Sequence, residues 1–180
     1  MDNLSKIKRL SKNFHLLLSI ILFLVPLYYV FYWSLINHLP ETLITVNTLS
    51  KPLIPHDLPV KLQFAGFFVS LLPLSALTYG LVNIRKIFSF YRQGVIFTFE
   101  HVSLFRKTAK ALLFWVVFSI VYESAKSVLF TLGNPPGSRI INVGLGSAGI
   151  TTLIVGGIVF LIAWVMDEGR ILTEENELTV

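Results

Sequence analysis

Residues 14–36 read FHLLLSIILFLVPLYYVFYWSLI, an apolar run without Lys, Arg, Asp or Glu. A helix needs about 20 residues to cross a hydrocarbon core that is about 30 Å thick, so this run is long enough for one membrane span. It is longer than the apolar core of a signal peptide, which has about 7–15 residues, and no small-residue cleavage motif follows it. We therefore interpret it as a retained membrane anchor.

Three further apolar stretches, at 63–84, 109–132 and 143–166, are also long enough to span a bilayer. The chain has 180 residues, of which 54% are hydrophobic, which is high for a soluble domain. We predict an all-α fold, an integral membrane four-helix bundle that forms one transmembrane domain over residues 1–180. The connecting parts are an external loop at 37–62, a cytoplasmic segment at 85–108 and a cytoplasmic tail at 167–180.

The basic residues indicate the orientation of the bundle. Eleven of the 15 lie on one side of a four-span topology. They are Lys6, Lys8, Arg9, Lys12, Arg85, Lys86, Arg92, Arg106, Lys107, Lys110 and Arg170. Short cytoplasmic loops carry an excess of Lys and Arg, so both termini are predicted to be cytoplasmic. The same distribution explains the basic character without a nucleic-acid partner, which would require a basic face on a soluble module.

A short motif occurs twice, as GVIFTFEH at Gly94–His101 and as GRILTEEN at Gly169–Asn176. Four pairs are identical at a constant offset: Gly94/Gly169, Ile96/Ile171, Thr98/Thr173 and Glu100/Glu175. Each copy follows a long apolar segment. This placement predicts two parallel helical-hairpin repeats, in which each copy ends a helix at its glycine and begins another at its threonine.

The first copy predicts a short cytoplasmic helix between spans two and three. Thr98 is its expected N-cap, and Glu100 suits the helix N-terminus electrostatically. Apolar residues then recur at helical spacing, which indicates an amphipathic segment that leads into span three. At the second copy, Asp167 and Glu168 are expected to contact a basic group at the end of span two, formed by Arg85, Lys86 and Arg92.

Glu123 and Lys126 are ionisable residues inside the third apolar stretch. Charge within a span is costly and marks a functional candidate. At a spacing of three residues the two side chains share a helix face and can form an ion pair. Three interpretations follow: a structural pair near the outer interface, a ligand or proton site, or a pair outside the membrane. In span one, Tyr28, Tyr29 and Tyr32 with Trp33 are predicted to anchor the outer end at the headgroup level.

Small residues recur every fourth position near span four, at Gly144, Ala148, Thr152 and Gly156. Such stripes allow helices to approach closely in lipid. The stripe is therefore interpreted as a packing surface for a helix of this chain or of another subunit.

No motif for catalysis or for a cofactor is present. The sequence contains no cysteine, and its four histidines lack the helical spacing of a metal-binding pair. The motifs G-x-S-x-G, H-E-x-x-H and G-x-x-x-x-G-K-[ST] are also absent from the sequence. We therefore expect neither an enzyme nor a metal site nor a bound cofactor.

The C-terminal run LTEENELTV, Leu172–Val180, resembles the closing signature of domain of unknown function 2975, a family of bacterial four-span membrane proteins. The resemblance also covers the order of the spans and the polar segment between spans two and three. It implies a multi-pass protein of the bacterial cytoplasmic membrane. It implies no established activity and no catalytic residues.

The expected role is structural, regulatory or partner-binding, in contact with the lipid bilayer and with a membrane-protein partner or a second copy of the chain. The expected interaction surface comprises the two motif copies and the tail. Its residues are Gly94, Thr98, Glu100, His101, Gly169, Thr173, Glu175, Asn176, Leu178, Thr179 and Val180. The alternative is a component of a transporter or channel that uses Glu123 and Lys126.

Overall fold

A computed structural model describes residues 3–40, 43, 44, 46, 57–95 and 98–178. Of the residues after Leu172, only Glu175 has a described side chain. Within these residues the chain is all α-helical and forms no β-strand, as predicted. The four helices are α1 (Asn3–Ser34), α2 (Val60–Gln93), α3 (Phe99–Thr131) and α4 (Ser147–Leu178). A short 3-10 turn, Ile36–His38, follows α1.

All four helices are long and apolar enough to cross a membrane. Many large apolar side chains point away from the bundle, most densely along α1 and α4. A water-soluble bundle would bury such side chains, whereas a lipid environment accommodates them. The composition and this surface together describe a multi-pass membrane protein.

The helices pack in the order of the chain. α2 and α3 form the most extensive contact, α1 packs on α2, and α4 packs on α3. Glycines allow two of these approaches: a Cβ added at Gly66 would overlap the Trp33 indole, and one at Gly80 would lie 3.3 Å from the Ala111 Cβ. The result is two antiparallel hairpins, α1–α2 and α3–α4, joined through α2 and α3.

We call the two ends of the bundle the loop end and the turn end. The loop end is where α1 leads into residues 35–59 and α3 leads into residues 132–146. The turn end is where residues 94–98 join α2 to α3. Because the sequence predicts that the connecting loops are external, the loop end corresponds to the predicted outer side.

A compact apolar cluster closes the loop end. Its buried members are Tyr32, Trp33, Ile36, Ile44, Val46, Leu58, Tyr122 and Phe130. The Asn37 side chain holds the connection in place, because its amide donates to the Leu58 carbonyl (3.1 Å) and its oxygen accepts from the Leu58 N–H (2.9 Å). The described part of the external loop is therefore packed over the helix ends.

This cluster includes two of the aromatic residues predicted to anchor the outer end of span one. Tyr28 is exposed at the loop end, but Tyr32 and Trp33 are buried in the bundle. Trp33 packs edge-on against Tyr122 and tilted against Phe130. Half of the aromatic group predicted to lie at the headgroup level therefore forms the core that joins α1 to α3.

The short helix predicted between spans two and three is not a separate element. Thr98 begins a helix as expected, but that helix continues without interruption to Thr131 as α3. The predicted restart in the second copy of the motif is wrong, because α4 runs without a break through Gly169 and Thr173 to Leu178. The two copies of the motif therefore have different structures.

Candidate functional site

The ion pair of Glu123 and Lys126 lies in α3 near the loop end. The Lys126 Nζ atom donates to the Glu123 Oε1 atom at 2.9 Å, and both side chains are largely buried. The Lys126 ammonium also lies 5.2 Å from the centroid of the Tyr122 ring, within range of a cation–π interaction. The sequence prediction that these residues form a pair is confirmed. Whether the pair has a functional role stays a prediction.

Two cavities border Glu123. We call the first the outer cavity: it has a volume of about 180 Å³ and lies between α1, α3 and the loop residue Leu43. Its lining consists of four tyrosines, Leu43 and the ion pair: Tyr28, Tyr29, Tyr32, Leu43, Tyr122, Glu123 and Lys126. The second, the inner cavity, has a volume of about 130 Å³ and lies between α1, α3 and the start of α4. Tyr29, Tyr122 and Glu123 line both cavities, so the Glu123 side chain forms part of the wall between them.

The chain before α4 forms one side of the inner cavity, through Gly144, Leu145 and Gly146. Two buried hydroxyls of α3 hold this segment. The Thr131 hydroxyl accepts from the Ile140 N–H (3.0 Å), and the Ser127 hydroxyl accepts from the Asn142 N–H (3.0 Å). Trp115 also lines this cavity, and its Nε1 atom is buried without a hydrogen-bond partner among the described residues. The site thus depends on side chains that sequence motifs did not identify.

The first copy of the motif forms a tight turn at the turn end. Gly94 has a φ of 85°, in the left-handed region that favours glycine. Its N–H donates to the Tyr91 carbonyl (3.0 Å), and the Val95 N–H donates to the Phe90 carbonyl (3.2 Å). This is the arrangement in which glycine ends a helix, so the predicted stop at Gly94 is confirmed. Ile96 and Phe97 lie outside the described residues.

Thr98 and His101 complete the turn. The Thr98 hydroxyl accepts from the His101 N–H at 3.4 Å, which confirms the predicted N-cap, and it lies 2.7 Å from the His101 Nδ1 atom. The imidazole is fully buried and stacks on the Tyr91 ring at 5.0 Å. Burial lowers the pKa of His101, which precedes the span predicted at 109–132, and the nearby Glu100 carboxylate partly opposes this shift. The motif histidine is therefore part of a packed turn, whereas Glu100 is exposed.

The predicted contact between Asp167 and the Arg85, Lys86 and Arg92 group is wrong. Asp167 pairs with Arg106 of α3 at 2.8 Å and with Arg170 of α4 at 3.1 Å. The reason is the packing order, because α4 lies against α3 and not against α2. An acidic side chain on α4 therefore meets the basic residues of α3.

The second copy of the motif lies on the extension of α4 beyond Asp167. Gly169 is within the helix, and a Cβ added there would meet no atom within 4 Å. Glu175 is exposed. The backbones of Thr173, Asn176 and Leu178 belong to α4, but their side chains lie outside the described residues, as do Thr179 and Val180 entirely.

The small-residue stripe is only partly used within the chain. Gly144 precedes α4, Ala148 is exposed and Gly156 is buried, where an added Cβ would lie 3.5 Å from the Leu112 Cβ. Steps of four residues rotate by about 40° around a helix and soon leave one face. Steps of seven drift by only about 20°, and the burial of α4 follows that spacing. Gly149 is half-buried, Gly156 is buried and Ala163 is fully buried, and added Cβ atoms at Gly149 and Gly156 would lie 3.7 Å from Val116 and 3.5 Å from Leu112 of α3.

No group of three or more His, Cys, Asp or Glu side chains in the described part of the chain is arranged to hold a metal ion. At the loop end, the outer cavity presents charged groups, hydroxyl groups and aromatic faces.

A known protein family matches nearly the whole chain. The family described as "Protein of unknown function (DUF2975)" matches residues 9–180. The chain belongs to this family. The DUF2975 match extends over all four helices, both motif copies and the C-terminal run, which confirms the resemblance seen in the sequence. No curated protein and no solved structure matches the chain.

Proposed function

We propose that this protein is a non-enzymatic component of the bacterial cytoplasmic membrane that binds a partner protein at the turn end. Both termini and the α2–α3 turn are cytoplasmic in this proposal, in agreement with the positive-inside distribution of Lys and Arg. The role is structural or regulatory, and a membrane-protein partner or a second copy of the chain is the expected ligand. The contact surface comprises the tail of α4 and the turn that contains Gly94.

The observation that carries this proposal is the unbroken course of α4 to Leu178. The twelve residues from Asp167 to Leu178 extend for about 18 Å at 1.5 Å per residue. The pair between Arg106 and Asp167 holds the base of this extension against α3. A helix fixed at its base presents side chains with a smaller entropic cost on binding than a disordered tail would.

Charge indicates the chemistry of the partner. Residues 167–180 contain five acidic side chains and one basic side chain, Arg170. The other predicted cytoplasmic segments are predominantly basic. A partner with a basic surface would therefore complement the α4 extension, and its association should weaken with increasing salt.

Affinity purification from native membranes with mass spectrometry tests the proposal. The wild-type chain should retain a stoichiometric partner, and removal of Leu178–Val180 should release it without reducing insertion. A Gly169→Pro variant should also release the partner because proline interrupts the helix, whereas Gly169→Ala keeps the helix and serves as the matched control. Equal recovery of the partner with all four chains would contradict the proposal.

A second candidate is a carrier or channel component that uses Glu123 and Lys126. The specific observation in its favour is that two cavities border Glu123, one of which also borders Lys126. In reconstituted vesicles, the double variant Glu123→Gln, Lys126→Met should abolish flux of the transported solute while the protein still inserts. Unchanged flux in that variant would exclude a role for the pair in transport.

A further inference from the structure

We infer that the outer cavity binds a small zwitterion, that is, a molecule in which an ammonium group and an acidic group lie close together. This inference goes beyond partner binding at the turn end. It rests on the ion pair of the carrier candidate, and it adds to that candidate the class of ligand that would bind. It does not require that the ligand cross the membrane.

The first argument is charge balance. Lys126 and Glu123 form a pair of zero net charge at 2.9 Å, with both side chains largely buried. A ligand with a single charge would pair with only one of the two residues. The other buried charge would then be uncompensated, which is strongly unfavourable. A zwitterion can place its acidic group near the Lys126 ammonium and its ammonium near the Glu123 carboxylate. All four charges then remain paired.

The second argument is the chemistry of the remaining wall. Tyr28, Tyr29, Tyr32 and Tyr122 line the cavity together with the ion pair. Aromatic faces attract cations, and the Tyr122 ring already lies under the Lys126 ammonium. Phenolic hydroxyls donate hydrogen bonds to acidic groups. One set of four side chains therefore supplies partners for both ends of a zwitterion.

The third argument is size. The cavity volume of about 180 Å³ is below the roughly 300–1,000 Å³ of pockets for drug-sized ligands. The site fits a molecule no larger than a small amino acid or a phospholipid headgroup. Two sources share this chemistry, namely a free zwitterionic solute and the ethanolamine phosphate headgroup of a lipid. Leu43 of the connecting loop borders the cavity, so a ligand would reach it from the loop end.

The test uses the purified full-length protein in mild detergent, with the unfolding midpoint and calorimetric titration as readouts. The free probes are glycine, glycine betaine and glycerophosphoethanolamine. Nanodiscs made of phosphatidylethanolamine or of phosphatidylglycerol test the lipid source. Binding should raise the midpoint by a few degrees near saturation. A rise with free probes indicates a solute, whereas a rise only in phosphatidylethanolamine indicates a headgroup; either result supports the inference.

Two variants and one control keep the result interpretable. Replacement of both charges, Glu123→Gln with Lys126→Met, leaves no lone buried charge and should lower affinity at least about tenfold. If that variant fails to fold, Leu43→Trp fills the cavity from an exposed position and should also abolish binding. The control pair Arg106→Gln with Asp167→Asn, at the turn end, should bind as the wild type does.

Three outcomes would overturn the inference. The wild-type protein responds to no zwitterion; the charge-free or cavity-filled variant responds as the wild type does; or acetate and methylammonium shift the midpoint as much as the zwitterions. Removal of Leu178–Val180 should leave zwitterion binding intact. Loss of the partner and loss of the ligand can therefore be observed separately, and failure of one proposal is distinguishable from failure of the other.

Discussion

The two motif glycines should respond to alanine in opposite directions. Gly94 and Gly169 occupy equivalent positions in the sequence repeat but have different backbone conformations. Gly94 has a φ of 85° at the end of α2, whereas Gly169 lies inside α4 and does not have a positive φ. The same substitution therefore tests whether the repeat has one structure or two.

The expected size of each effect follows from the local geometry. An L-residue in the left-handed region is less stable by about 1–2 kcal/mol, so Gly94→Ala should lower the free energy of unfolding by that amount. The new Cβ would also lie 2.7 Å from the Lys8 Cε atom, but the flexible end of that side chain can move away. At Gly169 the added Cβ meets no atom within 4 Å, and alanine should stabilise the helix by about 0.5–1 kcal/mol. The two variants should therefore differ by about 1.5–3 kcal/mol.

Equilibrium unfolding by SDS from mild detergent micelles, followed by far-ultraviolet circular dichroism, measures both free energies. The wild-type chain provides the reference, and the Gly169→Ala variant controls for the effect of the substitution itself. If both variants were destabilised, α4 would end at Gly169 as the repeat suggests. If both were stabilised, the left-handed turn at Gly94 would be absent.

Three further perturbations test other parts of the structure. A double-mutant cycle on Arg106→Gln and Asp167→Asn should give a coupling energy of about 0.2–1 kcal/mol in the same SDS assay, since the pair is partly exposed. A control cycle on Arg85→Gln and Asp167→Asn should give no coupling energy. Burial lowers the pKa of His101, so the unfolded chain takes up a proton before the folded chain does as the pH decreases. The contribution of His101 to the free energy of unfolding should therefore be constant above about pH 6.5 and fall below it. Unfolding midpoints at pH 7.5 and 5.5 should show this loss in the wild type, and it should be smaller in His101→Gln. Gly66→Ala should destabilise the bundle by about 1–3 kcal/mol in SDS unfolding because the Cβ overlaps the Trp33 ring, whereas Gly157→Ala, where nothing lies within 4 Å, should not.

The sequence predicts those features that depend on short stretches of chain. Four apolar runs predict four helices because each must satisfy its own backbone hydrogen bonds in lipid. Gly94 and Thr98 predict the end of α2 and the start of α3 because caps depend on a few neighbouring residues. The pair between Glu123 and Lys126 follows from a spacing of three along one helix.

Gly169 shows why the same reasoning fails in the second copy. The three residues after Gly94 are Val, Ile and Phe, and the three after Gly169 are Arg, Ile and Leu; Arg and Leu have higher helix propensity than Val and Phe. Arg170 also reaches back to Asp167 at 3.1 Å, a contact that spans Gly169. A glycine ends a helix only where the following residues do not favour its continuation, so four identical positions are insufficient to define equal structures.

The partner of Asp167 depends on information that hydropathy does not contain. Four apolar helices can be arranged around one another in several orders, and the choice of Arg106 over Arg85, Lys86 or Arg92 requires that α4 lie next to α3. The contacts at steps of seven residues along α4 indicate which face of α4 is packed, but they do not identify α3 as the helix that packs against it. The inner cavity beside Glu123 likewise depends on Thr131 and Ser127, which position a loop that has no strong sequence signal.

The surroundings of the ion pair bear on the proposed binding of a zwitterion. A buried ion pair contributes little net stability, because the desolvation of both charges offsets their attraction. A pair retained for packing alone would be expected in a closely packed environment, since protein interiors contain few voids larger than a water molecule. Glu123 instead borders cavities of about 180 and 130 Å³, within a wall of tyrosines. This volume beside the ion pair supports the proposal that a ligand pairs with both charges.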